Sequence, residues 1–437
     1  MGNKEEEENS SNNETIWTAQ DRDDEETREG IASVVPKDPN HDIPNGGSKA
    51  WLQVLGSFFL FFNSWGIINT FGVYQTFYET YLPETPSNIS WIGSIQAYLL
   101  LLIGIATGPM YDAGYFRALV ATGSFLVVFG MMMTSLCTEY WQIMLAQALC
   151  IGVGCGCLFV PSVAIVSTYF STKKALATGI AAAGSSLGGV LYPIVFHKLQ
   201  PTIGFGWATR VVAFIMLGTL SISLSVMRTR ILPAQKRAIW DLSAFKEAPF
   251  VFFTLSIFFG FMGLYIPFFY VQSYAIQEKI TSPDLAFYML SILNASSIFG
   301  RIIPNFIADK TGPLNVIIPC TLATSVLGFG WVGVRSTGGL VPFCILYGFF
   351  SGAFVSIPPT VIVRLSPSIG VVGTRMGMCF ALGGLGLLCG SPVAGQLIKQ
   401  SGFDAAIYFC GAAVAMGTVC MIAARVSKMG WMLNRVA

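Results

Sequence analysis

Charge is what this 437-residue sequence has least of, with 11% of its residues Asp, Glu, Lys or Arg, where a soluble protein carries about 25%. That scarcity excludes an ordinary water-facing surface. Together with 53% hydrophobic residues and 34 phenylalanines, it points to a polytopic membrane protein. Histidine is nearly missing, with only His41 and His197, so no histidine relay is expected through a bilayer. Thirteen of the 23 acidic residues fall in Glu5–Asp42. The others are Glu79, Glu84, Asp112, Glu139, Asp241, Glu247, Glu278, Asp284, Asp309 and Asp404, all in or beside predicted loops. The ten cysteines show no zinc or redox spacing and mostly occupy apolar runs, as Cys320, Cys379 and Cys410 do; they read as small apolar packing groups. No nucleotide loop, metal cluster or catalytic constellation is present, and Gly383-Gly384-Leu385-Gly386 sits in an apolar run that reads as helix packing. The sequence therefore predicts no enzyme, no cofactor and no metal. The net charge of +2 lies in loops and tails and gives no footing for nucleic acid.

What is abundant is length without charge. A helix needs about 20 apolar residues to cross a bilayer, and twelve segments qualify: roughly 51–77, 91–111, 118–137, 141–168, 175–196, 208–227, 250–274, 287–308, 314–334, 340–363, 376–398 and 405–426. An all-α membrane protein follows. Residues 1–49, rich in Glu, Asp, Ser, Asn and Pro, read as a disordered acidic tail without a core and without the apolar stretch of a signal peptide. An N-terminal six-helix half spans 50–227, a basic linker 228–249, a second half 250–427, and a short tail 428–437. With both termini on one side, fifteen Lys and Arg face that side in loops and the last tail, against five on the other. The positive-inside rule then puts both termini in the cytoplasm, and the plasma membrane is the expected location.

The halves repeat. Asp112 and Asp309 are 197 residues apart, as are Pro161 and Pro358; Gly179 and Gly377 differ by 198, and Pro193 and Pro392 by 199. Two parallel halves related by an axis along the membrane normal define the major facilitator architecture, with substrate bound between them near midplane.

One charge breaks the apolar pattern. Arg301 lies inside the eighth segment, after Ser291-Ile292-Leu293-Asn294-Ala295-Ser296-Ser297-Ile298-Phe299-Gly300. A charge there costs about 2.5–3.5 kcal/mol on insertion scales, so it faces a partner, a cavity or a substrate. Its planar fork fits a carboxylate or phosphate, which predicts an anionic solute; the structural alternative is an arginine that snorkels to the interface. Asn294 and Ser297 share its helix face. Asn63, Asn69, Gln75 and Gln96 are further polar candidates for a cavity lining, against plain interhelical hydrogen bonding.

Thr172-Lys173-Lys174-Ala175-Leu176-Ala177-Thr178-Gly179-Ile180-Ala181-Ala182-Ala183-Gly184-Ser185-Ser186-Leu187-Gly188-Gly189 has small residues at Gly179, Gly184 and Gly188 that permit close helix packing. This block resembles the helix-five signature of the monocarboxylate porter family of major facilitators, and Asn45-Gly46-Gly47-Ser48-Lys49-Ala50-Trp51 is similar to its helix-one signature, with Asn45 in place of an acid. The long acidic tail and Gly204-Phe205-Gly206-Trp207 resemble the fungal branch. The resemblance implies transport of a monocarboxylate or larger acidic metabolite by alternating access. It implies that Arg301 binds substrate, with Ser297 where the family has aspartate and Asn69 where it has lysine. Asp112 with Arg117, and Asp309 with Lys310, resemble the loop motif that latches one side closed.

The partners so implied are a small organic anion, the lipid bilayer and, as a candidate, protons; no accessory protein is named by the sequence. The alternative function is efflux of a fungal secondary metabolite or drug, since Gly184–Gly189 resembles part of an antiporter helix-five motif. A transporter-like sensor ranks below both. Asn88-Ile89-Ser90 heads a glycosylation sequon in the first predicted outer loop.

Overall fold

The computed structural model describes residues 45–170, 172–230, 241–367 and 369–430. Residues 1–44 of the segment read as acidic tail and residues 231–240 of the segment read as linker lie outside the described residues. Among those described, eleven helices are long and apolar enough to cross a membrane. One of them, Lys174–Val226, is 53 residues long and is broken at Gly204, with φ 77 and ψ 168. Only glycine adopts that backbone region freely, so the segment is two spans and the total is the twelve the sequence predicts.

In chain order these are α1 Ser48–Tyr81, α2 Pro86–Tyr111, α3 Phe116–Thr134, α4 Tyr140–Tyr169, α5 and α6 as the arms of Lys174–Val226 on either side of Gly204, α7 Ala248–Gln277, α8 Pro283–Thr311, α9 Pro313–Gly333, α10 Thr337–Leu365, α11 Val371–Ser401 and α12 Phe403–Met429. Helices are the form that satisfies every backbone group without water. They run past their apolar stretches, so α1 begins inside the segment read as tail and ends at Tyr81, beyond the predicted Phe77. The extra turns are polar and capped. Thr85 caps α2 with Pro86 in its first turn, accepting from the Asn88 N–H at 3.2 Å. Ser282 caps α8 ahead of Pro283, with Asp284 in the first turn and Lys310 in the last, where each complements the helix dipole.

The paired positions Asp112/Asp309, Pro161/Pro358, Gly179/Gly377 and Pro193/Pro392 fall on helices six apart in chain order. The two six-helix halves, α1–α6 and α7–α12, meet along α5 with α8, and α2 with α11. Two facing helices are interrupted. α1 is divided at Thr70 and α7 at Tyr265, and their far arms pack together, with the Phe71 and Phe269 rings 5.1 Å apart.

Lipid-facing and inward-facing positions separate cleanly on α8. Phe299 is 61% exposed and Ile303 and Phe306 are 45% and 46% exposed, while Asn294, Ser297, Arg301 and Asn305 are buried. Arg301 turns away from lipid, so the snorkelling alternative does not describe it.

Candidate functional site

The polar face of α8 lies on the small-residue face of α5. A Cβ on Gly179 would overlap the Arg301 carbonyl, and one on Gly189 would stand 2.5 Å from Asn294 Oδ1. Between them Ser186 donates to Ser297 Oγ at 3.2 Å, and Arg301 Nη1 donates to the Ala182 carbonyl at 3.3 Å. The remaining small residues of the block serve the opposite face of α5: Cβ atoms on Gly184 and Gly188 would overlap the Phe58 and Phe62 carbonyls of α1. One stretch of glycines thus holds α5 against α1 within its half and against α8 across the seam.

Asn69 reaches the same stretch from the break in α1, donating to the Ser185 carbonyl at 3.4 Å. Arg301, Ser297, Asn294 and Asn69 therefore converge on residues 182–189. Asn305, on the same face of α8, is a residue the sequence reading missed. It donates to the Arg301 carbonyl and to Ser356 Oγ, both at 2.7 Å, which fixes the turn that presents Arg301. Other polar candidates separate by their partners. Asn63 is used up inside the first half, accepting from Tyr192 at 2.6 Å and donating to Thr219 at 2.9 Å. Gln96 keeps both amide atoms buried without a partner among the described residues.

Arg301 is 1% exposed. Besides Ala182 it donates, among the described residues, only to Ser297 Oγ, at 3.4 Å. Both bonds are long for a guanidinium, and they use two of its five N–H groups. The hydroxyl of Tyr265, at the break in α7, is buried with no hydrogen-bond partner among the described residues. Around them are rings from both halves. Trp65 of α1 stacks on Tyr265 at 6.0 Å and on Phe261 at 6.3 Å, with interplanar angles of 24° and 29°. Phe159 of α4 meets Trp65 edge-on at 5.9 Å, and Phe380 of α11 meets Phe159 at 5.8 Å.

The halves are joined at both ends of this seam. At the basic end, Asp309 accepts the N–H groups of Ala175 and Leu176 at 3.1 and 3.0 Å, so a carboxylate of the second half caps the first turn of α5. Lys310 does not pair with it and lies over the Phe306 ring at 4.5 Å, because the helix turn points consecutive side chains apart. Arg117 is exposed in the first turn of α3, and the Asp112 side chain lies outside the described residues.

At the opposite end, Glu79 is in the last turn of α1 rather than in a loop. It accepts from Gln75 at 3.0 Å and, across the seam, from Ser273 of α7 at 3.2 Å. Glu79, Tyr270, Ser273 and Lys399 line a cavity of about 240 Å³. Asn88 is likewise in a helix and not a loop: its amide donates to Glu84 at 2.7 Å and its carbonyl accepts from Tyr140 at 2.9 Å.

Two further locks sit at the basic end. Asn45 accepts the Thr172 N–H at 3.0 Å, and its own N–H donates to the Tyr169 carbonyl at 3.1 Å, which brings the helix-one and helix-five motifs into contact. Arg375, read from sequence only as a loop charge, is buried with its fork in two carboxylates: Asp241 at 2.8 Å and Glu247 at 2.9 and 2.6 Å.

A buried cation in a seam between two six-helix halves, with hydrogen bonds across the seam at both ends, fits the build of an alternating-access carrier. The Major Facilitator Superfamily matches residues 54–368, and the chain belongs to it: it is a multi-pass membrane transporter. It is 50% identical over 359 residues to the MFS-type transporter dbaD of Emericella nidulans, covering 82% of this chain and 81% of that one. It is 38% identical over 393 residues to the aspyridones efflux protein apdF of Emericella nidulans, covering 87% and 80%. It is also 38% identical over 380 residues to the agnestins efflux protein AgnL12 of Paecilomyces divaricatus, covering 86% and 87%. The crystal structure of the human organic anion transporter MFSD10 superposes with a TM-score of 0.67 at 15% identity, over 86% of this chain and 100% of that one, a likeness of fold.

Proposed function

We infer that this transporter exports an anionic fungal secondary metabolite by alternating access, with Arg301 as the anchor for its negative charge. The observation that carries the reading is Arg301 itself, buried between the halves with two long hydrogen bonds. An anion entering the seam supplies the acceptors that the protein does not. The efflux names of apdF and AgnL12 favour export over the uptake that the monocarboxylate resemblance implies. The helix-five block and Arg301 remain the support for a place in the monocarboxylate porter-like branch. Ser297, Asn294 and Asn69 complete the polar wall. Asp309 on α5 and Glu79 on Ser273 serve as the two gates, and Glu79, beside a cavity, is the group placed to take a coupling proton. The excess of Lys and Arg at one end supports cytoplasmic termini.

Counterflow in proteoliposomes, with labelled carboxylic acids and their neutral amides as probes, tests this. Wild type exchanging acids, and Arg301→Gln losing most of that exchange, supports the reading. Equal exchange of acids by both proteins sinks it.

A further inference from the structure

We propose that the site selects flat conjugated acids, held in an aromatic slot between Trp65 and the Tyr265–Phe261 pair. The proposal rests on the anionic reading above and names the substrate class of that site. Its ground is the placement of the rings. Trp65 belongs to the first half and Tyr265 and Phe261 to the second, yet their planes lie within 24° and 29° of parallel at 6.0 and 6.3 Å. Near-parallel walls on opposite sides of a moving seam are a stacking surface rather than a fixed core. A ring between two aromatic walls needs contact of roughly 3.5–4 Å on each face, so roughly 7–8 Å between walls. Trp65 now stacks directly on Tyr265 and Phe261, so the slot opens for a ligand when one half rocks against the other. Phe159, edge-on to Trp65, and Phe380 beyond it bound the slot at one edge.

The polar groups give the ligand its second property. Tyr265 contributes both a wall and a buried hydroxyl without a partner among the described residues. That hydroxyl lacks an acceptor among the described residues, and Arg301 has N–H groups beyond the two that its long bonds use. A ligand that lays its ring on Trp65 and points an ionised oxygen toward Arg301 accepts from both. An aliphatic acid of equal charge satisfies Arg301 but forfeits the stacking, worth a preference of about three- to tenfold. A flat neutral molecule stacks but leaves Arg301 without its anion.

The test is counterflow in proteoliposomes of the full chain with three probes: 2-naphthoate, its saturated analogue decalin-2-carboxylate, and the neutral 2-naphthalenemethanol. Wild type is expected to exchange 2-naphthoate in preference to both others. Trp65→Leu is expected to abolish the preference over the saturated acid, read as the ratio of the two exchange rates within the variant. Tyr265→Phe, which keeps the wall and removes the hydroxyl, is expected to raise KM for 2-naphthoate while retaining the flat-over-saturated preference. Retention of the preference in Trp65→Leu overturns the slot. Equal exchange of the two acids by wild type, still lost in Arg301→Gln, overturns the slot and leaves the anion reading standing. Exchange of the neutral probe as fast as the acids overturns both. If Trp65→Leu elutes as an aggregate, Trp65→Phe and Tyr265→Phe carry the comparison, and an unchanged probe ranking and KM in both count against the proposal.

Discussion

The hydroxyls of Thr76 and Ser273 lie 3.4 Å apart, and the two residues are 197 positions apart in the chain. That spacing is the one that relates Asp112 to Asp309 and Pro161 to Pro358. A residue that touches its own counterpart in the other half must sit beside the axis relating the halves. The far arms of α1 and α7 therefore close on the axis itself, and Glu79, one turn on, reaches Ser273 from there. Joining these positions pins the gate. In Thr76→Cys/Ser273→Cys, two thiols at this spacing are within disulfide reach, and oxidation is expected to stop exchange by at least about tenfold, since the halves can no longer part. Reduction restores it. Normal exchange by protein shown by mass spectrometry to be crosslinked would rule out opening at this gate.

Gly179 is a tight point of the seam, matched by Gly72 against the Phe268 carbonyl, because a Cβ on Gly179 overlaps the Arg301 carbonyl, which is backbone and cannot step aside. Gly179→Ala is expected to destabilise the detergent-solubilised protein by about 1–3 kcal/mol and to displace Arg301 from Ala182. Gly108→Ala, where nothing lies within 4 Å, is the control. The two melting temperatures check it, and equal values contradict the packing described.

The spans, their repeat and the intramembrane arginine were legible in the sequence because each is a property of composition or spacing along one helix. Glu79 was not. Hydropathy ends α1 where polar side chains begin, whereas the helix continues to Tyr81, and its last turn is where the second half is touched. The partner of Arg301 was equally hidden, since a search for acids finds none and the acceptor is the Ala182 backbone carbonyl, which every residue has. Lys310, joined to Asp309 by resemblance to a loop motif, turns away from it: Asp309 faces α5, and its neighbour one position on points over Phe306. Arg375 counted as one more loop charge because its carboxylates are 134 and 128 residues away. The interruptions of α1 and α7 at Thr70 and Tyr265 have no breaker residue at the break itself, only Gly72, Gly263 and Pro267 two positions away, in spans where glycine is common, and so leave little trace in the sequence.

Arg375 gives the protein a pH-dependent contribution at its basic end. A hydrogen bond from Ser243, then Arg375, holds the Asp241 carboxyl below its usual range, and the Arg375 fork does the same for Glu247. Both folded-state values lie below the unfolded ones, so the stabilisation is complete above the ordinary carboxylate range and is lost as pH falls through the lowered values. Glu247 is 41% exposed, which screens the pair, so Arg375→Ala is expected to cost about 2 kcal/mol at neutral pH, less than a fully buried pair. The difference in melting temperature between wild type and variant should be level from pH 6 to 8 and shrink below about pH 4. A difference that instead grows in acid would contradict this assignment.

Asp309 closes the basic end by a different chemistry from Glu79: it binds two backbone N–H groups at the start of α5 and no side chain of that helix. Side-chain truncations at Ala175 and Leu176 therefore leave these bonds intact, whereas a change at Asp309 removes both. Asp309→Ala leaves those N–H groups without their acceptor and removes a charge from the positive end of the α5 dipole, a loss of about 1–2 kcal/mol for the closed form of this end. That is about five- to thirtyfold in the ratio of closed to open. The consequence is readable with Thr178→Cys, a buried position one turn into α5 beside Gly179. Its labelling by a membrane-impermeant maleimide, presented from the basic side, is expected to rise severalfold when Asp309→Ala is added. Asp309→Asn, which keeps an acceptor oxygen but not the charge, is expected to fall between. Unchanged labelling in Asp309→Ala, with the protein still folded, would show that the α5–α8 packing around Gly179 closes this end without help from the cap.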